Sequence, residues 1–117
     1  MADLNTLRTA LAVSPDNIPL LLLYAQTALD EWSTEEARGA YEKVLRQQPD
    51  HRQAGLGMAR ALFHEGKPSE AAVRVELLLA TAPDFAPAYV LMARIHLSEA
   101  SRAEAITAYR RAVELEV

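Results

Sequence analysis

The sequence predicts an all-α fold in which a pair of helices repeats along the chain. Pro-Asp pairs begin at Pro15, Pro49 and Pro83, so the spacing is 34 residues both times. Half of the 117 residues are hydrophobic, and alanine and leucine, both strong helix formers, dominate them. The 4 glycines and 6 prolines are too few and too regularly placed for a low-complexity chain. A helix–turn–helix unit recurring at this period predicts a solenoid.

The chain opens with a short amphipathic helix over about 3–14. Its leucines fall at helical spacing: Leu4, Leu7 and Leu11. Adding 34 to Leu7 gives Tyr41, so this helix corresponds to the second helix of a repeat whose first helix is missing. Pro15 then ends it, because proline fixes its own φ and disfavours helix in the residue before it.

The first full repeat covers about 18–51. Its first helix runs from Ile18 to about Glu31. Ser33 and Glu36 then have the spacing of a capping box, in which each side chain accepts from the other residue's N–H. This predicts a second helix that begins at Thr34 and stops before Pro49.

Two further repeats follow, at about 52–85 and 86–117. Gly66 ends the first helix of the second repeat, and Pro68 suits the first turn of the next helix, where its missing N–H has no cost. Ser101 begins another capping box. Seven antiparallel helices in a single domain over the whole chain are therefore expected.

The predicted inward faces carry similar residue types at each 34-residue step. Small residues let paired helices approach closely: Ala25, Ala59, Ala93, Ala37, Ala71 and Ala105. Larger residues fill the remaining space: Leu21, Tyr24, Tyr41, Met58, Leu62, Tyr89, Met92, His96 and Tyr109. Each repeat would then bury its apolar face only against its neighbours.

Charge and composition exclude several classes of partner. The net charge is −4 and no basic run is present, which argues against nucleic acid and against anionic membrane surfaces. No cysteine is present, so a disulfide framework and a thiolate metal site are excluded, as expected for a reducing compartment. No secretory signal or membrane-spanning run is visible. A cytoplasmic protein without a membrane partner is predicted.

No pattern in the sequence indicates catalysis. His51, His64 and His96 have no metal-ligand spacing with one another or with acidic residues. Ser33 and Ser101 fit helix caps better than nucleophiles, and no Gly-rich phosphate loop occurs. We predict no catalytic residue, no metal and no cofactor, and hence that the chain is not an enzyme.

The chain resembles the tetratricopeptide repeat (TPR) family over about three repeats and the opening half-repeat. Repeat one carries the resemblance through Leu21, Tyr24, Ala25, Ala37, Tyr41 and Pro49. Repeat three carries it through Tyr89, Met92, Ala93, Ala105, Tyr109 and Ala112. Repeat two departs from the family pattern at Gly55 and Val75, and Trp32 stands where the family usually has glycine, as at Gly66.

The resemblance implies a right-handed superhelical array whose concave groove, lined by the first helix of each repeat, binds peptides or partner helices. The groove positions form three rows: Leu22, Leu56 and Val90; Gln26, Arg60 and Arg94; and Leu29, Phe63 and Leu97. The residues with which some family members grip acidic chaperone tails are replaced here by Leu22, Gln26, Gly57 and Leu91. No such clamp is therefore expected.

These rows suggest a hydrophobic groove with two cationic points. Such a groove suits an amphipathic protein or peptide partner with acidic residues, which Arg60 and Arg94 could hold through paired N–H donors. Two alternatives stay open at this point. The apolar rows could pack against adjacent repeats, and the arginines could pair with acids on the protein's own surface.

The predicted function is a protein–protein interaction scaffold. One alternative is an N-terminal accessory or regulatory domain of a larger protein, which could be an enzyme. Another is a homo-oligomerisation module. The next Pro-Asp pair would begin at 117, so Ile106, Tyr109, Val113 and Leu115 are expected to be partly exposed. A homodimer or a C-terminal continuation would cover them.

Overall fold

Seven α-helices follow one another along residues 3–116, the part of the chain that the computed structural model describes. They are α1 (Leu4–Val13), α2 (Ile18–Asp30), α3 (Thr34–Gln47), α4 (Arg52–His64), α5 (Pro68–Thr81), α6 (Ala86–Ser98) and α7 (Arg102–Glu116). No β-strand occurs in this part of the chain. The predicted all-α solenoid of antiparallel helices is confirmed. Residues 1, 2 and 117 of the predicted domain lie outside the described residues.

The helices begin close to the predicted positions, but the caps differ from the prediction at α3. The Asn17 side chain caps α2, since its Oδ1 accepts from the N–H of Leu20 at 3.0 Å. Helix α3 begins at Thr34 as predicted, but the Ser33 side chain accepts no hydrogen bond from the described N–H groups of that first turn. The predicted capping box is wrong there, because the Glu36 carboxylate is bound by Arg8 and Tyr24 instead.

The helices form two layers. Helices α2, α4 and α6 contact one another in order, and we call the surface they share the inner face. Helices α1, α3, α5 and α7 form the outer layer, and over residues 3–116 their backbones approach inner helices but not each other. The array measures 47 × 25 × 25 Å. The inner helices therefore form one continuous face, whereas the outer helices are separated from one another.

The core runs as one cluster from α1 to α6 and depends on close helix approach. Ala25, Ala59 and Ala71 are completely buried. The Tyr41 ring lies against the backbone of Gly57, so closely that a Cβ built there would be 2.1 Å from its Cζ. Small residues at these positions are what permit the two layers to meet.

Helix α7 differs from its predecessors in what it buries. Its buried residues are all alanines: Ala105, Ala108 and Ala112. Tyr109, expected on the inward face, is 36% exposed, whereas Tyr41 at the equivalent position of repeat one is 2% exposed. This partial exposure of Tyr109 agrees with the expectation for the end of the array, because α4 covers Tyr41 while no inner helix follows α7 in the described residues.

The turn inside each repeat adopts the same left-handed backbone conformation. Its φ angles are +62° at Trp32, +76° at Gly66 and +60° at Ala100. Glycine adopts this region freely, whereas other residues lose about 1–2 kcal/mol there. Repeat two therefore has the residue that the turn favours, and repeats one and three hold a strained one.

A polar cluster ties α1 to the first repeat. An Arg8 guanidinium nitrogen lies 2.6 Å from Glu36 Oε2, and the Tyr24 hydroxyl donates to the same oxygen. These hydrogen bonds, from Tyr24 first and then Arg8, hold the pKa of Glu36 below its ordinary value. Burial, followed by the hydrogen bond to Glu36, raises the pKa of Tyr24. The cluster explains why Glu36 is not free to complete a capping box.

Candidate functional site

The inner face carries the nine groove positions, but they differ in exposure. Val90, Arg94 and Leu97 of α6 are exposed. Four others are half-buried: Leu22, Gln26, Arg60 and Phe63. The two remaining positions, Leu29 and Leu56, are only 3% and 5% exposed and belong to the core.

Leu29 and Leu56 therefore follow the alternative in which members of the apolar rows pack against adjacent repeats. Successive inner helices contact each other, so an inner-face residue can be covered by the next repeat. Burial falls along the row from Leu29 through Phe63 to Leu97, since no further inner helix follows α6 in the described residues. The surface open to a partner is consequently centred on α4 and α6.

Neither of the two groove arginines forms an ion pair with another described residue. Within residues 3–116, no carboxylate oxygen lies within 4.0 Å of a guanidinium nitrogen of Arg60 or Arg94. The Arg94 guanidinium carbon lies 5.6 Å from the centre of the Phe63 ring, within the range of a cation–π interaction. This contact joins the middle row to an apolar row across two repeats.

Charge is unevenly divided between the layers. The three inner helices hold three arginines and one aspartate, a net charge of +2, in a chain whose net charge is −4. The rest of the chain therefore carries −6. Arg52, one of these arginines, pairs with Asp84 at 3.4 Å, which leaves Arg60 and Arg94 as the cationic centre of the inner face.

Three residues beside these arginines were not among the predicted site residues. Asp30 and His64 lie 34 residues apart, one helical turn after Gln26 and Arg60. Gln26 donates a hydrogen bond to Asp30 at 3.0 Å. The His64 ring stacks on Trp32, with the ring centres 4.6 Å apart. The 34-residue spacing and the unusual tryptophan in the turn were the signals that could have identified them.

The surroundings of His64 disfavour its charged form. Burial, then the positive charges of Arg94 and Arg60, lower the pKa of His64, while Asp30 acts weakly in the opposite direction. The Nδ1 atom of His64 is buried and has no hydrogen-bond partner in the described part of the chain. Two positive charges and one negative charge therefore act on the His64 ring.

A further groove lies between helices of the outer layer. A groove of about 630 Å³ separates α5 from α7 above α6, with Met92 and Ala108 in its lining. The equivalent space in repeat one is about 230 Å³, and Tyr24 and Glu36 line it. Met92 occupies the position equivalent to Tyr24, and its smaller side chain fills less of the groove. This cavity does not reach the arginines of the inner face.

Two further properties of the described residues concern metals and membranes. No group of three or more His, Cys, Asp or Glu side chains is placed to hold a metal ion within residues 3–116. Across the same range, no helix has both the length and the apolar character needed to cross a bilayer.

Comparison with protein families decides the classification. A family model described as tetratricopeptide repeat matches residues 28–95, more than half of the chain, and a second model with the same description matches residues 86–116. The chain belongs to the tetratricopeptide repeat family. Proteins built from TPRs are generally non-enzymatic scaffolds, so family membership supports a protein-interaction scaffold as the general role of this chain.

Solved TPR-like structures share this fold at low sequence identity. The structure of MamA MSR-1 is 22% identical with a TM-score of 0.78, and the alignment covers 97% of this chain and 65% of that one. A thermophilic TPR protein of Thermus thermophilus is 17% identical with a TM-score of 0.85, and the alignment covers 97% of this chain and 64% of that one. This TPR chain thus spans slightly less than two thirds of their length. No curated protein matches its sequence.

Proposed function

We propose that the inner face binds a protein segment that is amphipathic and carries acidic residues. The observation that carries this proposal is the pair of arginines, Arg60 and Arg94, left without carboxylate partners among the described residues of an acidic protein. An acidic segment would be attracted to this face and repelled by the rest of the molecule.

The exposed side chains of the inner face define the surface that the partner would contact. Val90 and Leu97 present apolar area beside Arg94, and Phe63 lies beneath that guanidinium. A helix with one apolar stripe could place leucine-like side chains against these residues while its acidic residues meet the arginines. Leu22 and Gln26 extend the surface along α2. Leu29 and Leu56 support it from the core rather than touch the partner.

Charge reversal provides the test of this proposal. The probe is a fluorescein-labelled amphipathic peptide of about 18 residues, about 27 Å long as a helix, with leucines on one face and glutamates on the other. We expect Arg60→Glu with Arg94→Glu to weaken its binding by about tenfold or more, because two charge-assisted contacts become repulsive. Fluorescence anisotropy measures the affinity, and circular dichroism checks that the helices remain.

The matched control is Arg110→Glu with Arg74→Glu, which makes the same charge change at exposed positions of the outer layer. Equal weakening by both pairs would show that only net charge matters and would contradict binding at the inner face. A lysine version of the peptide should bind less well than the glutamate version. Phe63→Ala is a poorer test, since this half-buried ring also packs against the core.

Self-association through α7 is a second candidate function, favoured by exposed apolar side chains. Ile106 and Val113 are 55% and 62% exposed, whereas Leu79, at the position of Val113 in repeat two, packs against the core. We expect light scattering to show a molar mass that rises with concentration, and Ile106→Asn with Val113→Asn to abolish the rise. A monomer at every concentration would contradict this candidate.

Two other predictions remain proposals. Membership of a larger protein as an accessory or regulatory domain is compatible with the shorter length of this chain relative to the solved structures. The cytoplasmic location, which was predicted from the sequence, also stays a prediction.

A further inference from the structure

Trp32 is an exposed aromatic side chain on a strained backbone. The residue as a whole is 69% exposed, and its φ is +62°. Glycine would adopt this conformation without the loss of about 1–2 kcal/mol that other residues incur. Little core burial offsets that loss, because most of the indole remains in solvent. Backbone strain of this kind clusters at functional sites, and Trp32, unlike the equally strained Ala100, presents a large aromatic surface.

The neighbours of Trp32 share one electrostatic character. The indole stacks on His64, and the charges of Arg60 and Arg94 both act on the His64 ring. Phe63 lies beneath Arg94 on the other side. Arg60 precedes His64 by one helical turn, and Arg94 lies over the ring of Phe63, the residue before His64. Two aromatic surfaces and two cations without carboxylate partners in residues 3–116 therefore lie near the point where the first turn meets the inner face.

We infer that Trp32, His64, Arg60 and Arg94 form a site for one carboxylate side chain of the bound segment, with the indole packing against the apolar residue beside it. This inference rests on the proposed function and names the chemistry that the inner face would select. An arginine pair can hold a carboxylate through two N–H donors, and an exposed tryptophan is a frequent anchor in interfaces.

A carboxylate suits the site better than a phosphate group. Asp30 borders the site and is held by the hydrogen bond from Gln26, so it stays near the ligand position. The two arginines and Asp30 together carry a net charge of +1, which one carboxylate neutralises, whereas a phosphate group with nearly two negative charges would leave the site negatively charged. A single aspartate or glutamate of the partner therefore matches the charge of the two arginines and Asp30 together.

The charged groups around His64 should make binding of the carboxylate depend on pH. They are Asp30 of α2, Arg60 of α4, Arg94 of α6 and Trp32 of the turn. A bound carboxylate would offset the repulsion from the arginines and favour protonated His64. Binding should therefore strengthen as the pH falls from about 7.5 to about 5.5, while a glutamate side chain, with its ordinary pKa near 4.3, remains ionised. His64→Gln should abolish this trend.

Trp32→Gly is the decisive variant because glycine fits the turn. The probes are the amphipathic glutamate peptide, the same peptide with one glutamate at a time replaced by glutamine, and a version with phosphoserine at that position. We expect Trp32→Gly, and glutamine at one position, each to weaken binding by about tenfold. Ala100→Gly makes the same backbone change at the equivalent turn of repeat three and should leave binding unchanged.

The protein itself supplies a second readout. Trp32 is its only tryptophan, so its emission reports on this site when an unlabelled, tryptophan-free peptide is added. We expect the glutamate peptide to change that emission and the critical glutamine peptide to change it much less. Thermal unfolding of Trp32→Gly should occur no earlier than that of the unaltered protein, which separates loss of contact from loss of fold.

The outcomes distinguish this inference from the proposed function. Suppose that Trp32→Gly binds the peptide normally and that the peptide leaves the Trp32 emission of the unaltered protein unchanged. If charge reversal at Arg60 and Arg94 still weakens binding, the inferred carboxylate site is wrong, while the proposal that the inner face binds the segment is retained. If the glutamate peptide does not bind the unaltered protein, both proposals fail. Tighter binding of the phosphoserine peptide would overturn the choice of carboxylate.

Discussion

Replacing Ala71 with glutamate is expected to unfold the array. Ala71 is completely buried where α5 meets the core, and Ala37 and Ala105 hold the equivalent buried positions. A glutamate at this fully buried position would have its charge desolvated or its carboxyl protonated. An uncompensated buried charge destabilises by about 4 kcal/mol or more, a large part of the stability of a small domain.

Circular dichroism during heating and in urea would measure the effect of Ala71→Glu. Ala80→Glu provides the control, because Ala80 lies on the same helix and is exposed. The control should lose less than about 1 kcal/mol, mainly from a negative charge in the last turn of a helix. A melting temperature for Ala71→Glu equal to that of the control would contradict the assigned helix packing.

Replacing Gly57 with alanine should have the second largest effect. The added methyl group would collide with the Tyr41 ring, which is rigid and buried between α3 and α4. Relief requires the ring or the whole of α4 to move, and overpacking of this kind destabilises by about 3 kcal/mol. Urea denaturation should show a lower midpoint with little change in slope.

The control for Gly57→Ala is another glycine within a helix. A Cβ added at Gly39 has no neighbouring atom within 4 Å, so Gly39→Ala should stabilise the protein by about 0.5–1 kcal/mol through helix propensity alone. Replacing Tyr41 with leucine should make Gly57→Ala less harmful, because the two changes share one contact. Destabilisation of equal size at both glycines would show that the Tyr41 contact is not the cause.

The helices could be predicted from the sequence because their ends depend on local chemistry. Proline at Pro49, glycine at Gly66 and the 34-residue spacing act within a few residues, and the observed helices begin and end close to these signals. The completely buried alanines were predictable for the same reason, since their spacing marks one side of each helix.

The exposure of the groove positions could not be predicted in the same way. Leu29 and Leu97 occupy equivalent positions, yet one is buried and the other exposed, because burial depends on whether another repeat follows. Tyr41 and Tyr109 differ for the same reason. A repeat pattern describes each unit alone, whereas exposure is a property of the unit and its neighbours.

The Trp32 cluster depends on contacts between units as well. The sequence showed a tryptophan where glycine is usual, but it did not show that the indole reaches His64 of the next repeat. The Ser33 capping box failed for a related reason, since Arg8 from a distant helix competes for Glu36. Local signals identify the residues, and the contacts between repeats decide what they do.

The division of charge between the layers affects how a partner approaches. At physiological ionic strength the screening length is about 8 Å, whereas the array is 25 Å across. Salt therefore largely screens the electrostatic interaction between the charges on one side of the molecule and an ion on the other side. An acidic segment near the inner face responds to Arg60 and Arg94 rather than to the overall charge of −4. The overall acidity of this protein is therefore compatible with the proposed attraction of acidic segments to its inner face.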